Sequence, residues 1–290
     1  MANRIHVIAA GFLTTVQDLG RYGYAHLGIS PAGAADALSL RIGNRLVGNV
    51  ENTAALEMTL VGGTFEFESD AEVALAGSDF GAPLWTPLEI ESGQRLQLGP
   101  TRSGARCYLC IRGGIEAPLV LGSASTHLLT GLGGRALRKG DVLQCGNAGR
   151  ARHASPLQQA PCQRDLLRVT SGPQSDWFSD DFYRATYQVT EESNRMGLRL
   201  SGPKLGHSRE MLTEGVSVGA IQVPPGGQPI ILFVEHPTTG GYPKIANVIS
   251  ADRHVLGQLR PRDEVRFERV SIEQALALLR EQEELIHSVV

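Results

Sequence analysis

Short segments in which apolar and polar residues alternate recur along the chain. Phe65 and Phe67 alternate with polar neighbours, and Val73 and Leu75 do so a few residues later. A period of two directs the apolar side chains to one face of a strand. The same alternation of apolar and polar residues is found at residues 106–112, 166–170, 187–190, 198–200, 220–223, 230–235 and 265–270. Strands this short and numerous predict a mainly β protein built from barrels or sandwiches.

Two segments have helical rather than strand periodicity. In residues 34–47 apolar side chains recur every four positions, and Gly48 with Asn49 follows as a stop signal. The second segment begins at Ser271, with Gln274 three positions later, which is the spacing of a capping box. Apolar residues then follow at helical intervals: Ile272, Leu276, Leu279 and Ile286. Both segments are predicted to be helices.

The stretch from 147 to 164 is poor in apolar residues and contains Pro156 and Pro161. No amphipathic period passes through it, which is typical of a linker. The length of 290 residues suits about two domains. We therefore predict an N-terminal β-rich lobe with one helix at 1–150, a linker at 151–164, and a C-terminal β-barrel lobe ending in a helix at 165–290.

The charge pattern argues against nucleic acid as a partner. The formal net charge is −3, and no stretch combines clustered Lys and Arg with aromatic residues, as a phosphate-tracking surface requires. The longest apolar run in the second half, residues 230–234, is far shorter than the ~20 residues that span a bilayer. The N-terminus lacks the apolar core of a signal peptide. These features predict a cytoplasmic protein with reduced cysteines and no membrane partner.

Several catalytic motifs are absent from the sequence. It contains no GxxxxGK[ST] loop for ATP, no GxSxG elbow of serine hydrolases and no HExxH zinc helix. Cys107 and Cys110 match CxxC, but they lie in a predicted strand, where alternation directs them to opposite faces. They are therefore predicted to be buried small hydrophobic residues, and no metal site is expected.

Polar residues embedded in glycine-rich surroundings form five motifs, which we number in chain order. They are LTTVQDLGRYG at 13–23; ISPAGAAD at 29–36, which leads to NRLVGN at 44–49; VLGSAST at 120–126; SNRMGLRL at 193–200; and TTGGYPKIA at 238–246, preceded by GAIQVP at 219–224. Glycine permits tight turns and close backbone approach, so polar side chains in such loops are candidates for a binding site.

In order, spacing and wording these motifs resemble the allophanate hydrolase subunit 2 family, also described as the A/B half of biotin-dependent carboxyltransferase domains. The resemblance extends over about residues 8–270 and implies two cyclophilin-like β-barrel lobes with a few helices. Two positions depart from the family pattern. Pro237 stands where glutamine is usual, which removes a side-chain amide and a backbone donor. Lys244 stands where arginine is common, which keeps the charge but loses bidentate geometry.

The resemblance also implies a function. The family includes one of the subunits of prokaryotic 5-oxoprolinase. The resemblance therefore implies that this chain is part of an ATP-dependent amide hydrolase that opens the lactam of 5-oxo-L-proline to L-glutamate. Such a chain is expected to be inactive alone. Its expected partners are proteins similar to the A and B subunits of 5-oxoprolinase, and ATP is expected to be bound by or shared with a partner subunit.

Two alternatives stay open from the sequence. The first is the carboxyltransferase half of a biotin-dependent, urea carboxylase-type enzyme. Its biotin carrier must then be on another chain, because no Ala-Met-Lys-Met attachment site is present. The second is a non-catalytic regulator that binds a kinase-inhibitor-like protein.

Both enzyme hypotheses require hydrogen-bond donors and a cation near the substrate oxygen that gains negative charge during the reaction. Gly240 and Gly241 either present converging N–H groups to that oxygen, with Tyr242 adding a phenol, or form a hairpin turn between the strands before and after them. Arg195 either offers its planar fork to a carboxylate or phosphate, or ties loop carbonyls together. We expect both segments to face a common cavity.

The remaining candidates come from the other motifs. Asp18 either acts as a general base or forms an ion pair with Arg21 that fixes a turn, whereas Asp36 is expected to cap the first helix. Ser123, Ser125 and Thr126 are expected to be hydrogen-bonding loop residues. The predicted catalytic residues are Asp18, Arg195 and Tyr242. The predicted substrate-binding residues are Arg21, Gln222, Thr239, Gly240, Gly241 and Lys244.

Overall fold

The computed structural model describes residues 3–146, 157 and 165–289. These residues form two compact units. The first unit comprises the described residues of Met1–Arg21, Ala32–Cys162 and Glu284–Val290, and the second comprises those of Tyr22–Pro31 and Gln163–Glu283. Tyr22–Pro31 was predicted to belong to the N-terminal lobe but is grouped with the second unit, and the described part of Glu284–Val290 was predicted to belong to the C-terminal lobe but is grouped with the first. Apart from Leu157, the predicted linker at 151–164 lies outside the described residues.

The first unit is built from two five-stranded antiparallel sheets and a helix. In chain order its elements are β1 (Asn3–Ala9), β2 (Leu13–Gln17), α1 (Ala37–Leu46), β3 (Ala55–Thr59), β4 (Thr64–Phe67), β5 (Ala71–Gly77), β6 (Pro87–Ile90), β7 (Arg95–Gln97), β8 (Arg106–Ile111), β9 (Ile115–Glu116) and β10 (Val142–Cys145). One sheet has the order β7-β4-β1-β10-β9, and the other has the order β2-β3-β8-β5-β6.

The main core of the first unit draws apolar side chains from both sheets. Ile5 and Phe65 come from the first sheet, and Leu56, Leu75 and Leu109 come from the second. All five are fully buried. Because one face of each sheet contributes to a common core, the two sheets pack face to face as a sandwich.

The outer face of the second sheet is covered by α1. Leu38, Ile42 and Leu46 lie in a second hydrophobic cluster with Tyr108 and Cys110 of β8. Cys107, by contrast, belongs to the core between the sheets. The two cysteines therefore lie on opposite faces of β8, as predicted, and burial raises the pKa of both thiols. They are packed as small hydrophobic residues.

A buried hydrogen-bond network holds the second motif against β3 and β8. The Tyr108 hydroxyl donates to Oε2 of Glu57 at 2.6 Å and accepts from the Asp36 N–H at 2.8 Å. Glu57 also accepts from the Ala35 N–H at 2.8 Å. Asp36 in turn caps α1, because its carboxylate accepts from the N–H and the hydroxyl of Ser39. Its predicted capping role is confirmed.

The second unit contains a closed seven-stranded barrel. Its elements are β11 (Leu166–Ser171), α2 (Asp181–Arg184), β12 (Tyr187–Val189), β13 (Gly197–Ser201), β14 (Glu214–Gly215), β15 (Ala220–Gln222), β16 (Ile230–Leu232), β17 (Thr239–Gly240), β18 (Lys244–Val248), α3 (Arg253–Leu256), β19 (Glu264–Arg269) and α4 (Ile272–Ser288). The residues of α4 from Glu284 onward are grouped with the first unit. The barrel has the order β11-β18-β15-β16-β13-β12-β19, and β14 pairs with β17 as a separate ribbon.

Three aromatic side chains pack together beside β12 and β19. Phe182 of α2 stacks on Phe267 of β19 with ring centroids 4.5 Å apart, and Tyr187 of β12 approaches both rings. After β19 the chain enters α4 through the predicted capping box. The Ser271 N–H donates to Gln274 at 2.8 Å, and the Gln274 N–H donates to Ser271 at 3.2 Å.

The mainly β prediction is confirmed, since all nine segments with alternating texture contain strands and both predicted helices are present. Barrel closure is found in the second unit, whereas the first unit is a two-sheet sandwich. The strands β1, β2, β3, β6, β7 and β10 and the two-residue strands β9, β14 and β17 lie outside the segments predicted from alternation. β2, for example, is almost entirely buried despite three polar residues.

Substituting Tyr108 with phenylalanine tests the network around Glu57. The change removes one donor and one acceptor from buried partners, so the free energy of unfolding is expected to fall by about 1–3 kcal/mol. Tyr187→Phe is the matched control, because the Tyr187 side chain is also buried but its hydroxyl has no hydrogen-bond partner. Urea denaturation should show an unchanged free energy of unfolding for the control. Equal decreases in both variants would contradict the proposed importance of the network.

Candidate functional site

The Asp18 carboxylate of the first motif is held by the third motif. Oδ1 accepts from the hydroxyls of Ser123 at 2.6 Å and Ser125 at 2.5 Å, and Oδ2 accepts from the Ala124 N–H at 2.8 Å. A fourth donor is the Gly20 N–H, at 2.8 Å from Oδ1. The residue is 3% exposed. These donors replace the water that burial removes and fix the position of the carboxylate.

Arg21 is bound to the same third motif. Its guanidinium donates to the carbonyl oxygens of Val120, at 3.3 Å, and of Ser125. The side chain is buried. The first and third motifs are thus joined by hydrogen bonds in both directions. Ser123 and Ser125 act as hydrogen-bonding loop residues, as predicted.

A cleft of about 610 Å³ opens beside Asp18 in the first unit. Asp18, Asn52 and Glu116 provide its polar wall, and Ile115 and Leu119 are among its apolar lining residues. The Asn52 amide oxygen accepts from the Leu19 N–H at 2.8 Å. The predicted general base therefore lines a cleft of ligand size. Its four hydrogen bonds compete with that role, because they occupy the oxygens that would have to accept a proton from a substrate or water.

Arg195 of the fourth motif is buried in an ion pair. Its Nε lies 2.5 Å from Oε1 of Glu235, and both side chains are almost completely shielded from solvent. The Glu235 N–H also donates to the Arg195 carbonyl at 2.8 Å. At least one edge of the guanidinium is therefore already engaged by a carboxylate of the same chain.

The polar residues of the fifth motif form a contiguous group around Gln222. The Gln222 side-chain amide donates to the Tyr242 carbonyl at 3.4 Å. A Cβ at Gly240 would lie 2.6 Å from Nε2 of Gln222, so a larger residue at this position would make the end of the Gln222 side chain shift. The Tyr242 side chain itself is 44% exposed. Gln222 thus positions the loop that presents the Tyr242 ring to solvent.

Lys244 lies next to this group and has its own partners. Its buried ammonium pairs with Glu214 of β14. The backbone N–H of Lys244 donates to the side-chain oxygen of Gln174 at 3.0 Å. Thr239 and Gly241 are exposed at the edge of the loop. The positive charge expected to face a substrate is therefore balanced by Glu214.

The strand register separates Arg195 from the Tyr242 loop. Gly197, two residues after Arg195, pairs with Leu232 at the end of β16. Gln222 pairs with Ile230 at the start of β16 and with Lys244 on its other side. The two predicted parts of the anion site thus lie at opposite ends of β16. The register does not support their expected convergence on one cavity.

Of the two roles expected for the paired glycines, the hairpin turn needs correction. Gly240 belongs to β17 and pairs with Glu214, and β16 and β18 both pair with β15 rather than with each other. The glycines therefore do not form a hairpin turn between those strands. Gly240 ends the short strand β17, and Gly241 follows it outside the ribbon.

Among the nine predicted site residues, Asp18 and Arg21 belong to the first unit and the other seven to the second. Sequence reasoning missed the carboxylates that partner buried groups in both units, Glu57, Glu214 and Glu235. A signal for Glu57 was available, because a charged residue stands inside the buried strand ALEMT. Within the described residues, no cluster of His, Cys, Asp or Glu is arranged to hold a metal ion.

Asp18→Asn tests how much the carboxylate stabilises the loops around it. In either orientation the amide nitrogen would face an N–H donor, that of Ala124 or that of Gly20, so the free energy of unfolding is expected to fall by about 1–3 kcal/mol. Asp79→Asn is the control, because Asp79 accepts from Gly81 in the same i, i+2 geometry near the surface. Chemical denaturation measures both variants. An unchanged free energy of unfolding for Asp18→Asn would contradict this expectation.

Arg195→Ala leaves the Glu235 carboxylate buried without this partner. We expect a loss of about 3–5 kcal/mol in the free energy of unfolding. Arg184→Ala breaks the exposed pair with Asp181 and should change stability by less than about 0.5 kcal/mol. Thermal unfolding of the two variants would compare them. A stable Arg195→Ala protein would show that the ion pair is dispensable for folding.

None of the helices in the described ranges combines the length and apolarity that a bilayer crossing needs.

Comparison with known proteins gives consistent matches. The profile of the carboxyltransferase domain, subdomain A and B, matches residues 27–269. The chain is 41% identical to the C subunit of 5-oxoprolinase from Escherichia coli strain K12, over 96% of this chain and 95% of that protein. It is 33% identical to the urea amidolyase of Saccharomyces cerevisiae, over 98% of this chain but 18% of that protein.

A solved structure shows the same fold. The crystal structure of the K. lactis urea amidolyase superposes with a TM-score of 0.91 at 31% identity, covering 99% of this chain and 20% of that one. The family resemblance inferred from the five motifs is thus confirmed. The chain belongs to the family of the carboxyltransferase domain, subdomain A and B.

Proposed function

We propose that this chain is one subunit of an ATP-dependent 5-oxoprolinase that opens the lactam of 5-oxo-L-proline to L-glutamate. The observation that carries the proposal is the 41% identity to the 5-oxoprolinase C subunit of Escherichia coli, which extends over nearly the full length of both chains. A second relative of the same name, from Haemophilus influenzae, is 38% identical over 93% of this chain. Proteins similar to the A and B subunits of 5-oxoprolinase are the proposed partners.

ATP is proposed to be bound by, or shared with, a partner subunit. The cleft beside Asp18 has two carboxylates in its wall, Asp18 and Glu116, and would repel a triphosphate. The cations Lys244 and Arg195 are engaged by Glu214 and Glu235. These surroundings do not suit ATP, so we assign no step of its chemistry to this chain.

The residues around Gln222 are the proposed contact with the amide. An amide carbonyl that is activated for attack by water gains negative charge on its oxygen, and a positioned hydroxyl stabilises that charge. The exposed Tyr242 phenol can donate such a hydrogen bond. Gln222 and Lys244 are buried and hold the loop that carries it. Tyr242 is therefore the proposed catalytic residue of this loop, and Gln222 a positioning residue.

The structural match to K. lactis urea amidolyase favours a second candidate, a carboxyltransferase half that acts on urea. In that case a separate biotin-carrying protein must supply the carboxyl group. The two candidates differ in their substrates, so one set of assays separates them.

Reconstitution with the A-like and B-like subunits tests the proposal. With 5-oxo-L-proline and ATP, the three purified chains should release glutamate and ADP, and omission of this chain should abolish both products. Tyr242→Phe should lower kcat by about 10²-fold or more in the assembled enzyme, because one donor to the developing oxyanion is lost. Equal product formation without this chain would refute the proposal, and carboxylation of urea that requires a biotinylated partner would favour the second candidate.

A further inference from the structure

Glu214 is a charged residue of the second unit that lies outside the five sequence motifs. It belongs to β14, which forms a two-stranded ribbon with β17. Its carboxylate is paired with the Lys244 ammonium, and the two side chains differ in exposure, at 44% for Glu214 and 8% for Lys244. A buried cation is thus paired with a carboxylate that reaches it from the surface.

The Lys244 ammonium has more hydrogen-bond donors than this pair uses. An ammonium carries three N–H bonds and no acceptor. Among the residues that the structure describes, Glu214 is the one hydrogen-bond acceptor of Nζ. A buried donor that finds no acceptor costs free energy. The donors that Glu214 leaves unused are therefore available to the oxygens of a ligand.

The ribbon that carries Glu214 is short and lies at the surface. It consists of two residue pairs, one of which joins Glu214 to Gly240. The stretch 208–215, which contains β14, is exposed apart from Met211. Segments with few buried contacts open at a low cost in free energy. Lys244, by contrast, belongs to the barrel strand β18, which pairs with β11 and β15. The carboxylate can therefore move away while the ammonium stays in place.

The ion pair adjoins the loop proposed to contact the amide. Lys244 is two residues from Tyr242, so their Cα atoms are at most about 7 Å apart. Gln222, which donates to the Tyr242 carbonyl, is paired with Lys244 in the barrel. On the other side of the loop, a Cβ at Gly241 would lie 3.4 Å from Oγ1 of Thr213, the residue before β14. The ammonium, its carboxylate and the loop that carries the phenol therefore lie at the same end of the barrel strands.

A carboxylate from outside can replace that of Glu214 without leaving the ammonium unpaired. Removal of one partner from a buried ion pair is strongly destabilising, whereas exchange of one carboxylate for another preserves the pair. A neutral molecule of similar shape cannot make this exchange. A triphosphate would bring more negative charge than one ammonium balances. The arrangement therefore selects a small ligand with a single carboxylate.

We infer that Lys244 binds the carboxylate of the substrate and that Glu214 occupies its place until the substrate displaces it. This inference rests on the proposed function, in which the substrate is a lactam with a carboxylate on its ring and Tyr242 contacts the amide. Glu214 thus competes with the substrate, protects the Lys244 charge in the empty site and excludes lactams that lack a carboxylate.

Binding of 5-oxo-L-proline to the full chain tests the competition directly. Glu214→Ala removes the internal competitor, so isothermal titration calorimetry should show about tenfold tighter binding than for the wild type. 2-Pyrrolidinone, which has the same ring without the carboxylate, should gain no affinity from the substitution. Glu191→Ala is the matched control, because Glu191 pairs with Arg262 at the surface, and it should bind like the wild type. Equal or weaker binding by Glu214→Ala would overturn the inference.

Thermal unfolding shows whether a carboxylate fills the vacated place. Glu214→Ala leaves the Lys244 ammonium without its carboxylate, so Tm should fall, and acetate should raise Tm more in this variant than in the wild type. Chloride at the same ionic strength should not do so. Glu214→Gln, which keeps the size of the side chain, serves for the same comparison if the alanine variant does not fold. A Tm that acetate leaves unchanged, or tighter binding of inorganic phosphate than of any carboxylate, would contradict a carboxylate site.

Substitution of Lys244 with methionine distinguishes binding by the ammonium from a general effect of the ribbon. Lys244→Met removes the buried charge while keeping an unbranched side chain, and the released Glu214 carboxylate can turn to solvent. Binding of 5-oxo-L-proline should weaken by about tenfold or more, because the charge-assisted hydrogen bond is lost. Adding Glu214→Ala to this variant should give no gain in affinity. The same gain in both backgrounds would show that Glu214 does not act through Lys244.

The reconstituted enzyme separates failure of this inference from failure of the proposed function. Glu214→Ala should lower KM for 5-oxo-L-proline by about tenfold. If the wild-type assembly releases glutamate and the KM of the variant does not fall, the exchange is refuted and the function stands. If the assembly releases no glutamate while the isolated chain binds carboxylates in competition with Glu214, the function is refuted and the site stands.

Discussion

The loops that carry the family motifs depend on the satisfaction of buried charge. Asp18 is tolerated in the interior of the first unit because four donors from its own turn and from the third motif surround its carboxylate. A buried carboxylate without such donors would take up a proton or unfold its surroundings. The same constraint is met at Glu57, by a tyrosine and a backbone N–H, and at Glu235, by Arg195. Motif residues that resemble catalytic groups are therefore first of all the groups that hold these loops in place.

The sequence predicted those features of the fold that depend on neighbouring residues. Alternation located six of the seven strands of the barrel. The Ser271–Gln274 spacing located the start of α4, where the structure contains both hydrogen bonds of a capping box. The opposite orientation of Cys107 and Cys110 followed from strand geometry alone. Pairing between distant strands could not be predicted in this way. Gly240 pairs with Glu214, a partner that no local pattern around the glycine indicates.

For the site, the sequence identified polar residues in unusual surroundings but not the partners that determine what they do. Asp18, Gln222 and Lys244 are indeed buried polar residues. Whether such a residue faces a ligand or a counter-charge depends on residues tens of positions away in the sequence. Arg195, for example, is paired with Glu235. Arg253 of α3 shows the converse, because its sequence context is ordinary although its Nε is fully buried without a hydrogen-bond partner.

The closed order of the barrel limits how other proteins can attach to it. Each of its seven strands has a neighbour on both sides, so the ring offers no free backbone edge on which a foreign strand could be added. Proteins that dock onto the barrel must therefore recognise side chains and loops. In the first unit, by contrast, both sheets are open and end in the strands β7, β9, β2 and β6. Any assembly that extends a sheet from one chain into another has to begin at strands of that kind.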